Sequence, residues 1–231
     1  MPTRTSSPDV AASGGPGESG EQGERPTSRG DRRKASTRAA LITAARQFLA
    51  EGGRTDVSIQ EITDRADVGF GSFYNHFSGK AELFGAAVAQ TLNDHGQLLD
   101  ALTADLEDPA EVFAVNVRHT GRLPRGRPEL ASILMHTGLP YLMEDAGLAP
   151  RALRDIHRAT ESGRFIVRNP SVALVATGGA LLGLLQLIES SPGIDVDEVA
   201  DELAVGILCL LGLPREEAVE LCARPLPALP N

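Results

Sequence analysis

Between Ser58 and Lys80 the chain sets small, hydrogen-bonding and cationic side chains at spacings that suit contact with a polyanion. Ser58-Ile59-Gln60-Glu61 has the capping-box form, so a helix begins there, and its N-terminus offers a place for a phosphate. A second short helix is expected from about Phe70 to Phe77, after a break at Asp67-Val68-Gly69 where Asp tolerates a left-handed backbone. Phe73 and Phe77, one turn apart, define its inner face. Gly71, Ser72, Tyr74 and Asn75 then point outward. Asn pairs with adenine, Ser with several bases, and glycine at positions 69 and 71 lets the backbone approach base edges. Phe70 either presses on a thymine methyl or is a third core aromatic, and both readings stand at this level. Lys80 opens a further helix, where a cation opposes the helix dipole. Its position makes sense if Lys80 and that helix N-terminus grip the same phosphate. Tyr74 and His76 can donate to the nucleic-acid backbone as well, although His76 could equally pack against a neighbouring helix.

These side chains need a brace, and the preceding sequence supplies one. Leu41, Ala45, Phe48 and Leu49 mark one buried face of a helix over about Arg33 to Ala50, which Gly52-Gly53 ends. Ile59, Ile62 and Ala66 give the capped helix a stripe of its own. Two short helices joined by a tight turn and braced by a third form a helix-turn-helix. Arg29, Arg32, Arg33, Lys34 and Arg38 precede it, as a phosphate-binding or minor-groove arm or as a solvated basic helix end. The net charge of −9 argues against nucleic acid only as an average. Residues 29–88 carry a net +2, whereas the rest of the chain is acidic.

The stretch Val57-Ser58-Ile59-Gln60-Glu61-Ile62 followed by Ala66 to Phe84 resembles the N-terminal domain of the TetR repressor family. Tyr74, Phe77, Lys80 and Leu83 behind a capped helix are the most specific part of the pattern. The likeness spans about residues 35–85; beyond that it rests on helical layout. Asp67 stands where members commonly have Gly, and Gly69 and Phe70 where a Ser and a basic or polar residue are common. Base preference therefore departs from the family pattern. The resemblance implies a helical ligand-binding and dimerisation domain from about residue 86, in which an effector shifts the spacing of two DNA heads.

The remaining sequence agrees with an all-α protein. Aromatics are 4% of residues and Trp is absent, so the core is aliphatic. The expected organisation is a disordered tail over 1–30, a helix-turn-helix domain over 31–85, a helical domain over 86–223 and a flexible tail over 224–231. A long helix marked by Phe84, Val88, Leu92, Leu99, Leu102 and Leu106 opens the second domain. Helices near 109–120, 129–146 and 150–166 follow, then two apolar ones at 170–189 and 195–213 and a short one from Pro214 to Ala223. Val172 to Ile188 is near the lower limit of a membrane span, but its capped apolar neighbour favours half of an intersubunit four-helix bundle, hence a homodimer and no membrane. Phe113, Asn116, Met135, His136, Tyr141 and Met143 are candidates for an effector pocket, each alone more often core or surface.

No enzyme motif stands. Gly79-Lys80 lacks the rest of a phosphate-binding loop, Gly69-Phe70-Gly71-Ser72 is no nucleophile elbow, and the five histidines form no metal grouping. His95 is expected as a satisfied core histidine, and no cofactor or metal is expected. Cys209 and Cys222 without metal spacing, and no apolar leader at the N-terminus, suit a cytoplasmic protein. The expected function is a ligand-responsive repressor, homodimeric on a palindromic DNA operator. The alternative is a helical small-molecule binder or enzyme with a vestigial helix-turn-helix.

Overall fold

The computed structural model describes residues 29–137 and 147–228, and among them all regular structure is helical. The first three helices and the start of the fourth make the head. They are α1 (Arg29–Ala50), α2 (Ile59–Arg65), α3 (Phe70–Phe73) and α4 (Lys80–Leu102). The body adds α5 (Pro109–Gly121), α6 (Leu123–Gly126), α7 (Pro128–Thr137), α8 (Ala149–Glu161), α9 (Pro170–Ser190), α10 (Val196–Leu210) and α11 (Arg215–Ala223).

Local chemistry accounts for most of these boundaries. Ser58 caps α2 as the capping box requires, Asn169 caps α9 and Asp195 caps α10. Asp67 has φ of 52°, the one positive value outside glycine among the described residues, and turns the chain from α2 into α3. The helix beginning at Phe70 is shorter than its pattern suggested. It ends at Phe73 and continues as turns, with Phe77 carried inward by an N–H bond to the Phe73 carbonyl. The long helix stops at Leu102, so Leu106 lies beyond it. The Pro/Gly segment between the helices expected near 109–120 and 129–146 holds the short helix α6. At its two ends the described chain is more ordered than the expected tails. Arg29 and Gly30 start α1, and Arg224 is anchored by Glu111 at 2.5 Å while its carbonyl accepts from Arg118.

The core is continuous across the expected domain boundary. Leu41, Phe48, Ile62, Phe73 and Phe77 of the head share one apolar cluster with Leu130 and Ile133 of α7 and with Leu185 of α9. A second cluster joins α5, α8, α9, α10 and α11 around Phe113, Ile156, Phe165 and Leu208. α9 is long and apolar enough by composition to cross a membrane, with mean hydropathy 1.9, yet it packs on α5, α7, α8 and α10. Core packing accounts for the inward face of this helix, whereas Val172, Val175 and Leu187 face outward.

Candidate nucleic-acid interface and effector cavity

The head is held by interactions that leave one edge open. Phe73 and Phe77 are buried, and Arg38 lies over the Phe77 ring at 5.0 Å while Arg65 lies over Phe48 at 3.5 Å. Phe70 and Tyr74 are 47% and 57% exposed, with rings in edge contact at 6.0 Å. Phe70 is therefore a surface aromatic and not a third core one. Gly69, Gly71 and Asn75 are exposed, Ser72 and His76 half-buried, and a Cβ on Gly71 would meet nothing within 4 Å. Arg33 and Lys34 are exposed on α1, a helix rather than an extended arm. Burial lowers the pKa of His76, and Lys34 and Arg38 lower it further, so the basic end of α1 lies beside the exposed edge.

Two expected phosphate grips have other partners. The backbone N–H and hydroxyl of Ser58 both donate to Glu61, at 2.7 and 2.8 Å, so a carboxylate already occupies that helix start. These bonds and nearby Arg54 and Arg65 hold Glu61 below the ordinary carboxylate value. Lys80 Nζ donates to the Val57 carbonyl at 2.7 Å. Its place at a helix start thus has a reason inside the protein, beyond the phosphate that its charge suggested.

Behind the head, α4, α5, α7, α8 and α9 line a cavity of about 110 Å³. Leu99, Phe113, Val117, Leu174, Leu181 and Leu185 make it apolar; Asp100, Asn116, Thr120, Arg151, Asp155 and Thr177 supply the polar groups. Arg151 binds Asp100 at 2.8 Å and Asn93 at 3.0 Å, and it can lie against α4 because residue 96 is glycine. A Cβ there would come within 2.7 Å of the Arg151 chain. Burial would raise the Asp100 carboxyl, but hydrogen bonds from Arg154 and Arg151 outweigh it and hold the group below its usual value. For Asp155 burial wins, and its carboxyl is raised despite bonds from Arg154 and Asn116. Asn116 Oδ1 and Thr177 Oγ1 are buried with no partner.

Of the residues first considered for a pocket, Phe113 and Asn116 line this cavity. Met135 packs against the head cluster instead. His136 lies over Gly53, where a Cβ would approach it to 2.7 Å, so the end of α7 meets the α1–α2 loop. Tyr141 and Met143 lie outside the described residues. Sequence reasoning passed over Asp100, Arg151, Asp155 and Thr177. For Asp155 a signal existed: Ala152, Ile156 and Ala159 place it on the apolar face of α8.

His95 is 1% exposed, as a core position requires, but neither ring nitrogen has a partner. It is a core histidine that is not satisfied. On the outside of the body, Val172, Val175 and Leu187 of α9 and Leu210 of α10 are exposed. Gly179, Gly183 and Gly206 open onto free space along the same helices.

Comparison with known proteins agrees with this geometry. Residues 41–87 match the model of "Bacterial regulatory proteins, tetR family", and residues 108–224 match "Tetracyclin repressor-like, C-terminal domain". The chain is 27% identical over 201 residues to the "Probable acrEF/envCD operon repressor" of Escherichia coli (strain K12), covering 80% of this chain and 90% of that one. The solved structure of RolR in complex with resorcinol is 35% identical, with a TM-score of 0.71 over 86% of this chain and 99% of that one. FadR from Bacillus subtilis with stearoyl-CoA shares the fold at 14% identity and a TM-score of 0.58, over 74% of this chain and 97% of that one.

Proposed function

Given that the chain belongs to the TetR family and is a ligand-responsive, DNA-binding transcriptional repressor, we propose that its effector is a single-ring molecule bearing hydroxyl groups. The observation that carries this is a pair of unpartnered buried oxygens, the Asn116 Oδ1 acceptor and the Thr177 hydroxyl, inside an apolar cavity of about 110 Å³. An unpaired buried oxygen costs roughly 1–3 kcal/mol, which a ligand O–H would offset. Asp155 adds a further acceptor, so the site asks its ligand for donors. Size caps the guest at a single ring, since about 110 Å³ is below the ~150 Å³ of a cavity that holds benzene. Resorcinol, held by the 35% identical relative, is a ring with two hydroxyls.

Two helices can carry the signal. Leu99 of α4 and Leu134 of α7 line the cavity, while Leu83 and Phe84 of α4 and Leu130 and Ile133 of α7 belong to the head cluster. A guest that shifts either helix moves the head as a rigid piece.

The operator is read by a homodimer in the cytoplasm. The exposed apolar face of α9 and α10 builds an intersubunit four-helix bundle. Two heads then enter successive major grooves about one turn, ~34 Å, apart. Phe70, Gly71, Ser72, Tyr74 and Asn75 meet the bases, with Arg33, Lys34, His76 and Lys80 on phosphates.

Operator selection from random duplexes at moderate salt, repeated with resorcinol, tests both halves. A palindrome should emerge, and resorcinol should release it from the wild type but not from Asn116→Ala. Failure to select a palindrome sinks the DNA reading. A palindrome that no dihydroxybenzene releases sinks the effector class alone.

A further inference from the structure

Apart from the effector cavity, α4, α5, α6 and α10 enclose a second cleft of about 340 Å³. Its walls carry His95, His119, Arg122, Arg125, Arg127 and Asp197. Asp197 is already neutralised, since Arg122 and Arg125 both bind it. Arg127 has no ion pair among the described residues; it lines both this cleft and a neighbouring groove beside α1 and α7, and its guanidinium is a planar fork of donors.

The imidazoles sharpen the picture. Both His95 nitrogens are buried and without partners, which native interiors rarely tolerate unless something fills the space. Burial, with Arg127 and His119 adding to it, lowers the His95 pKa to about 4, so the ring is neutral and offers one N–H donor. His119 Nε2 also lacks a partner. Its other nitrogen is turned to the Pro227 carbonyl, which keeps the proton there and leaves Nε2 as an acceptor. The cleft therefore presents one cationic fork, one neutral imidazole that both donates and accepts, and a further acceptor at His119 Nε2.

We propose that this cleft is a second ligand site, taking a small oxyanion that also carries a hydroxyl, such as a hydrogen phosphate or hydroxycarboxylate group. The oxyanion pairs with Arg127 and accepts from His95, while the hydroxyl donates to His119 Nε2. No such group is matched by the effector cavity, whose lining is mostly apolar. The site sits where it can be felt: His95 lies on α4, and Arg127 immediately precedes α7, which packs on α1.

The test is calorimetric titration of the full chain, free of DNA, with inorganic phosphate and with lactate; acetate and chloride serve as controls. Saturable binding of phosphate or lactate is expected, about tenfold weaker in Arg127→Gln and unchanged in the effector-cavity variant Asn116→Ala. Phosphate alone or lactate alone identifies which group the cleft prefers. The proposal is overturned if neither saturates, if Arg127→Gln binds as well as wild type, or if acetate matches lactate. Ring signals of His95 and His119 in the wild-type NMR spectrum check the same point without a variant. Both must move during the titration, and stationary signals overturn the assignment.

Discussion

Lys80 Nζ donates to the carbonyl of Val57 at 2.7 Å, tying the first residue of α4 to the residue just before the Ser58 cap. The bond crosses the whole helix-turn-helix and fixes the start of α2 relative to α4. Lys80→Ala should lower unfolding free energy by about 1.5–3 kcal/mol, the scale for a bond to a charged donor. Two further N–H bonds of Nζ remain for a phosphate, so the salt slope of DNA binding should also fall by about one unit. Urea denaturation and binding across a salt series measure the two effects separately.

Phe70 tests the exposed edge. Because it is 47% exposed, Phe70→Ala should leave stability within ~0.5 kcal/mol of wild type. The selected operator should change at one base position in each half-site. An identical operator would move base contact to Gly71, Ser72 and Asn75.

His95 sets an acid limit on stability. Its pKa falls from 6.5 in the unfolded chain to about 4 in the fold, chiefly through burial. As pH drops through 6.5 the unfolded chain takes up a proton that the folded one refuses until about 4. The contribution is complete above that window and lost across it, on the order of 3 kcal/mol. His119, lowered in the same direction, adds to the slope. Urea midpoints across the window should fall less steeply in His95→Leu than in wild type.

Leu134 is the side chain of α7 that reaches the effector cavity, while its neighbours Leu130 and Ile133 are buried with the head. Leu134→Ala should bind resorcinol but release DNA less completely, because the guest loses its lever on α7. Calorimetry and an operator-release assay on one preparation separate coupling from affinity. Full release would assign the lever to α4.

Leu210 is 62% exposed on α10, one of the large apolar side chains that face outward among the described residues. Leu210→Glu should yield monomers in sedimentation and abolish tight operator binding, with α-helical content unchanged. A dimer of unaltered affinity would place the interface on another face.

Much of the head was legible because its determinants are local. The capping box, the left-handed Asp67 and the pair Phe73 and Phe77 act within a turn or two of themselves. The extent of α3 was not, since its last turn is drawn out by packing of Phe77 rather than by helix propensity. The effector cavity was legible only at Phe113 and Asn116, an apolar and a polar neighbour on one helix; Asp155 carried its signal in the apolar spacing of Ala152, Ile156 and Ala159, which is meaningful only once α8 is known to pack inward.

By itself, then, the sequence determined a helical chain with a capped helix-turn-helix, an aliphatic body and two apolar helices near its end. Periodicity and caps are short-range, and one strand of text carries them. Tertiary structure alone decided that Ser58 and Lys80 spend hydrogen bonds inside the head, that Gly96 makes room for Arg151, and that His95 and Arg127 face one cleft. Those outcomes depend on residues tens of positions apart meeting at fixed distances, and only the packing of whole helices sets such distances.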